Sequence, residues 1–183
     1  MRAPTSDVSS ASQGRSALPV GVRHVDPVRS HASFTARVAS NSVRGRLPLT
    51  GAVSVAAPIE DSMAHLTALA SEVSTGNRML DRLLTGPGFL DSESHPTINL
   101  RSQSLVWVPT GWRSLGKLRV KGIEHPIASE FEADVHPTQS HAAIATLTVR
   151  TRWVLDSTWI TTNRLPTVRR RILLECVVVL DRS

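Results

Sequence analysis

Several side chains of this chain are of types that do chemistry, and their spacing narrows which chemistry is on offer. His125, His136 and His141 are donors of the kind zinc takes, and Cys176 is the only cysteine. Taken with the remote cysteine, they match no compact zinc pattern, so no metal site is expected. Asp26, Asn77, Asp81 and Asp91 could be catalytic acids or partners of one. Asp and Asn at such positions more commonly cap helices and close turns through local backbone hydrogen bonds. The run Gly86-Pro87-Gly88 lacks the third glycine and the preceding strand of a dinucleotide loop, and no Gly-Lys-Ser/Thr follows it. No Gly-x-Ser-x-Gly elbow presents a serine nucleophile. No catalytic residue is therefore nominated, and an enzymatic role is not expected. Trp107, Trp112, Trp153 and Trp159 could stack on bases above a basic surface, but Trp112 and Trp153 fall on the apolar parity of their strands.

The elements that carry these residues are mostly strands. From Val43 the alternate positions Val43, Gly45, Leu47, Leu49, Gly51, Val53 and Val55 are apolar or small. From Ile127 the same parity gives Ile127, Ser129, Phe131, Ala133 and Val135, while Glu130, Glu132 and Asp134 take the other face. Runs from Trp112 to Val120, from Ala143 to Leu155 and from Val168 to Leu180 repeat the pattern. Shorter ones cover Ala32–Val38 and Leu66–Ala70. One face buried and one wet is what an antiparallel sheet needs. Long strands at regular spacing predict a sandwich or a closed barrel, and closure removes exposed edges. Small inward residues, such as Gly45, Gly51, Ala68, Ala70, Gly116, Ala133, Ala143 and Ala145, either leave room for a cavity or ease tight packing. A barrel of about eight strands is wide enough for one small ligand.

One stretch breaks the alternation. In TGNRMLDRLLTGPGFLDSESHPTI, from Thr75 to Ile98, Asn77 is placed to cap a helix over about Arg78–Thr85. Met79, Leu80, Leu83 and Leu84 share a side of it. Gly86 suits a left-handed C-terminal residue, and Pro87 stops continuation. This helix is expected to cover one open end of the barrel.

The chain has 183 residues and a formal net charge of +6. The length fits one domain with a real core. Residues 1–18 read by composition as a disordered tail and residues 19–183 as the barrel. No apolar run is long enough for a secretory signal or a membrane span, so no stable membrane insertion and, by default, a cytoplasmic location are expected. The basic residues are scattered rather than clustered, which favours a solvated sheet face over a nucleic-acid site. A basic-surface module for nucleic acid or an acidic partner is the alternative function.

The Thr75–Ile98 stretch also resembles the signature of the YceI family, the lipocalin-like polyisoprenoid-binding proteins, through Thr75, Gly76, Asn77, Asp81, Leu84, Phe89, Asp91 and Pro96. GKLRVKGIEHPI, Gly116 to Ile127, resembles a second family stretch. VDPVRSHASF, Val25 to Phe34, resembles the opening one, with Asp26, Pro27 and Ser30 kept. Weaker likeness continues through Asn163, so the resemblance spans about Val20 to the C-terminus. It departs at Arg29 and Leu83, where the family usually carries histidines. The resemblance implies a lipocalin-like all-β antiparallel barrel with an internal apolar tunnel. It implies a bound isoprenoid-type lipid, a polyisoprenoid or an isoprenoid quinone, with no other cofactor and no catalysis. Phe34, Leu83, Phe89, Leu118, Phe131, Leu147, Trp153 and Ile172 are the candidates for the tunnel wall. Arg170, on the apolar parity of the last strand, is placed at or just beyond the barrel mouth. The sequence leaves monomer and homodimer open.

Overall fold

The structure, a computed structural model, describes residues 18–109, 111–136, 146–161 and 170–182. Its strands are β1 (Gly21–Val25), β2 (His31–Val38), β3 (Asn41–Pro48), β4 (Thr50–Val55), β5 (Met63–Leu69), β6 (Thr97–Val108), β7 (Gly111–Val120), β8 (Ile123–His136), β9 (Thr146–Asp156) and β10 (Arg171–Arg182). All pairings are antiparallel.

The ten segments amount to eight strands around a closed barrel. β1 and β2 lie end to end along β10, through Val25 opposite Leu180 and Ala32 opposite Cys176. β4 and β3 lie end to end beside them, since β1 pairs with β4 and β2 with β3. From there each strand pairs with the next in sequence, and β10 closes the ring. Closure through β1 and β4 removes most of the sheet edge, and beyond it β3 is met only by the isolated bridge of Arg46 to Ser74.

The break between β1 and β2 has a local cause. Asp26 Oδ1 accepts from the backbone N–H of Val28 at 2.8 Å and of Arg29 at 3.1 Å, which turns the chain. Ser30, 1% exposed, then stands in for the missing ladder rung. Its Oγ accepts from Val179 N at 2.9 Å and donates to Val179 O at 3.3 Å. The guanidinium of Arg29 spans Asp26 and Asp181 across the corner. The hydrogen bond from Arg29 holds the Asp26 carboxyl below the usual range. Asp26 and Arg29 are thus spent on the corner. The apolar parity from Val43 to Val55 persists through the interruption at Leu49, whose N–H reaches Ser30 O at 3.2 Å.

The helix α1 spans Arg78–Thr85, and the Asn77 side chain accepts from Met79 N and Leu80 N as expected. Its end differs from the expectation. Gly86 has φ −71, so it is not left-handed. Asp91 takes the positive φ instead, at 51°. The loop folds back on the helix end, with Leu90 N donating to Leu84 O at 3.0 Å and Asp91 N to Gly86 O at 3.0 Å. Asp81 is used inside the same unit, accepting from both Thr75 N and Thr75 Oγ1 at 2.7 Å.

The small inward residues divide into two kinds. A Cβ on Gly45 would meet the Phe34 ring at 2.4 Å, and one on Gly116 would meet Arg101 O at 2.3 Å. Those glycines permit close approach. Ala32 and Ala68 border open space instead. Leu18, assigned to the tail by composition, is 9% exposed and packs into the core, because it completes the apolar floor next to Val55. Ala143, Ala145 and Val168, read as strand positions, lie outside the described residues, as do His141 and Asn163.

Candidate functional site

The described residues of the barrel interior line two cavities. The upper one, at the end carrying α1, has a volume of about 110 Å³. Every residue lining it is apolar or Cys176, including Ala32, Ala68, Leu84, Leu90 and Ile160. The lower one measures about 100 Å³ and reaches from Leu18 and Val55 to Leu147 and Leu180. Leu66, Leu100 and Trp153 line both, so they form the waist between two compartments of one tunnel. Each compartment is several times the roughly 10–15 Å³ that a single water needs.

Six of the eight expected wall residues face this tunnel. Phe34, Leu118, Trp153 and Ile172 line the upper cavity, and Phe131, Leu147 and again Trp153 line the lower. Leu83 does not. It is 55% exposed, and Met79, four residues earlier, is also exposed. The sequence pattern put four apolar residues on one side of α1, but a helix of eight residues seats a narrower stripe. Leu84 takes the inward place. Phe89 lines neither cavity; it sits half-buried in the turn after α1, its N–H held by Gly86 O at 3.0 Å. Sequence reasoning missed the residue of that turn that does line the cavity, Leu90, which is 7% exposed. It also named no wall residue on β6, although it read a strand starting near Ile98; a register shift between Ser102 and Ser104 breaks the parity there.

The polar candidates occupy other places. His125 stacks on Trp159 with ring centroids 4.0 Å apart and planes 11° from parallel. Burial lowers its pKa. His136 ends β8 and is exposed. No group of His, Cys, Asp or Glu among the described residues could hold a metal. Trp107 and Trp112 pack edge to face at the β6–β7 turn, 4.9 Å apart. Arg170 lies just before β10, exposed, with its Nε 3.4 Å from Asp156 Oδ2, so it does not enter the interior. Cys176 lines the upper cavity, and burial pushes its thiol up to about 12. Such a thiol is a poor nucleophile and ligand.

The arrangement provides an apolar volume inside the barrel, and no catalytic group is assembled in it among the described residues. No helix among the described residues is long and apolar enough to cross a membrane. The fold is shared with solved structures. The Burkholderia cenocepacia protein BcnA superposes with a TM-score of 0.69 at 18% identity, covering 85% of this chain and 98% of its own. A Saccharophagus degradans domain, described as polyisoprenoid binding and implicated in plant cell wall breakdown, gives 0.68 at 12% identity, with coverages of 90% and 100%. The Campylobacter jejuni YceI protein gives 0.63 at 14% identity, with coverages of 100% and 99%. No curated protein matches by sequence. Residues 24–180 match the YceI-like domain, and with that match and this barrel the chain belongs to the YceI-like domain family.

Proposed function

We propose that this protein binds a long apolar lipid, a polyisoprenoid or an isoprenoid quinone, inside the divided tunnel, and does no chemistry on it. The observation that carries this reading is the upper cavity of about 110 Å³ lined by nothing more polar than a cysteine. An apolar chain withdrawn from water gains about 25 cal/mol per Å² gross. Ordering of the chain and of the loop over the barrel end subtracts a large share. The description of the Saccharophagus degradans domain agrees with the same ligand class.

The alternative, a basic surface for nucleic acid or an acidic partner, meets a β7–β10 face on which four cations are paired with carboxylates. Arg113 pairs with Glu130, Lys117 with Glu124, Arg150 with Asp134 and Arg152 with Glu175 across neighbouring strands. Paired charges of this kind make a poor phosphate-binding stripe.

Extraction of the purified protein with organic solvent, followed by mass spectrometry beside native mass spectrometry of the intact protein, tests the reading. A stoichiometric isoprenoid or quinone is expected. Phe131→Asp, in the lower cavity wall, should abolish uptake of added isoprenoid, whereas Arg113→Ala on the outer face should leave it unchanged. Equal binding by both variants would remove the tunnel from consideration. Binding of nucleic acid that weakens steeply with salt would establish the alternative.

A further inference from the structure

The two cavities differ in chemistry, and the difference points to which end of a lipid each one takes. In the lower cavity the inward positions of three adjacent strands are hydroxyls: Ser102 on β6, Ser114 on β7 and Ser129 on β8. Ser114 and Ser129 are directly paired across the ladder. The register shift between Ser102 and Ser104 skips Gln103. It brings Ser102 to Ser114, whose Oγ donates to Ser102 Oγ at 2.9 Å. One hydroxyl of this pair keeps a proton to donate. Two other hydroxyls of this cavity are already engaged: Ser62 Oγ accepts from Ala56 N at 3.0 Å, and Thr151 Oγ1 donates to Glu130 O at 2.9 Å.

Ser129 differs from these. It is 7% exposed, lines the cavity and takes part in neither of those bonds. At the waist above it, the buried indole Nε1 of Trp153 has no acceptor among the described residues. Burying a donor without an acceptor is unfavourable, and each such group in a folded protein needs an explanation. A ligand oxygen in the lower cavity would supply one. Its polar groups are neutral hydroxyls and one indole N–H, and no Lys, Arg, His, Asp or Glu lines the cavity. Arg23 is buried on β1 opposite Val53 but is not part of the lining. A phosphate placed there would be desolvated without a cation in the wall, which is strongly unfavourable.

We infer that the lower cavity is a head-group pocket for a neutral oxygen-bearing lipid, taking a hydroxyl or carbonyl oxygen between Ser102, Ser129 and the Trp153 indole, while the chain passes the waist into the upper cavity. This rests on the lipid-binding reading above and deepens it. The chain then points to the α1 end, and prenyl diphosphates are excluded by the pocket rather than by tunnel length.

Binding isotherms of the full chain with geranylgeraniol, geranylgeranyl diphosphate and the hydrocarbon phytane test it. Geranylgeraniol should bind about tenfold or more tighter than phytane, the increment of a buried hydrogen bond, and tighter than the diphosphate. Ser129→Ala should weaken geranylgeraniol about tenfold and leave phytane unchanged, since only the head contact is removed. Ser102→Ala, at a half-buried position, is a second variant with the same expected signature should Ser129→Ala fold poorly. Equal affinity for geranylgeraniol and phytane, or tightest binding of the diphosphate, would overturn the head-group pocket while leaving lipid binding intact. Binding of none of the three would overturn both.

Discussion

The upper and lower halves of the tunnel are built from the same strands, yet they offer a ligand different surroundings. On β7, Leu118 and Val120 face the upper cavity while Ser114, on the same face, lines the lower. On β6 the change comes between Leu100 and Ser102, and on β9 between Leu155 and Thr151. A barrel wall thus needs no special loop to become amphiphilic along its axis. A few hydroxyls on inward parity suffice, provided the strand register brings them to one level. The halves also close differently. The upper end is covered by the α1 unit, through Leu84 and Leu90, whereas Leu18 packs into the lower floor.

The largest expected effect concerns the apolar half. With its thiol pushed up to about 12 by burial, Cys176 carries very little thiolate near pH 8. Its alkylation by a maleimide should be slower than that of a free thiol by a factor on the order of 10³. The same shift predicts how stability varies with pH. The folded state keeps the thiol proton after the unfolded chain has lost it, so stability is fully present below the ordinary thiol value of 9.0 and falls above it, by about 1.4 kcal/mol per pH unit up to the folded value. The sequence contains no tyrosine, and its only lysines are Lys117 and Lys121, so few other groups titrate in that window. Urea midpoints measured between pH 8 and 11 should fall for the native chain and stay flatter for Cys176→Ala. A hydroxyl-lined upper cavity would show no such slope.

Filling each half in turn sharpens the contrast. Ala68 borders the upper cavity and Ala64 the lower. In a close-packed core, enlarging either to Leu would cost about 1–3 kcal/mol. Here the open space should hold the change below about 1 kcal/mol, read by thermal unfolding. Ala68→Leu should weaken long isoprenoids more than short ones, because it shortens the space for the chain. Ala64→Leu should narrow the preference for a headed lipid over a hydrocarbon. A uniform loss in both variants would mean one undivided tunnel.

What could be read in advance follows from which facts are local. Strand parity survives breaks, so the inward set from Val43 to Val55 was readable although the strand is interrupted at Leu49. The cap at Asn77 was readable because it needs only residues within one turn. The wall residues on long strands, such as Phe131 and Leu147, were readable for the same reason as the strands themselves. The hydroxyl row was not. Ser114 and Ser129 look like lapses in an apolar pattern until the ladder sets them opposite each other. Ser102 reaches them only after a register shift that no parity count anticipates. Leu83 failed for a different reason: on a short helix, the choice between neighbouring leucines is made by the loop that folds back on it. Here Leu90 bonds to the Leu84 carbonyl and both side chains turn inward, leaving Leu83 outside.

That choice between neighbours gives a direct test of how the upper end is closed. Leu84→Asp places a carboxylate in an apolar cavity and should abolish isoprenoid uptake, while Leu83→Asp, on the exposed side, should leave uptake unchanged and stability within about 0.5 kcal/mol. The cover as a whole depends on its cap. Asn77 Oδ1 receives the N–H of Met79 at 2.9 Å and of Leu80 at 3.3 Å, and it is exposed, so its removal affects the helix terminus and not the core. Asn77→Ala should cost about 1 kcal/mol. Because α1 touches the barrel mainly through Leu84 and its following loop, that cost should appear as local opening. Amide exchange should speed up across Arg78–Thr85 by about fivefold and stay unchanged in β9 and β10. If exchange rose equally in the barrel strands, α1 would be an integral part of the core rather than a cover that opens independently of the strands beneath it.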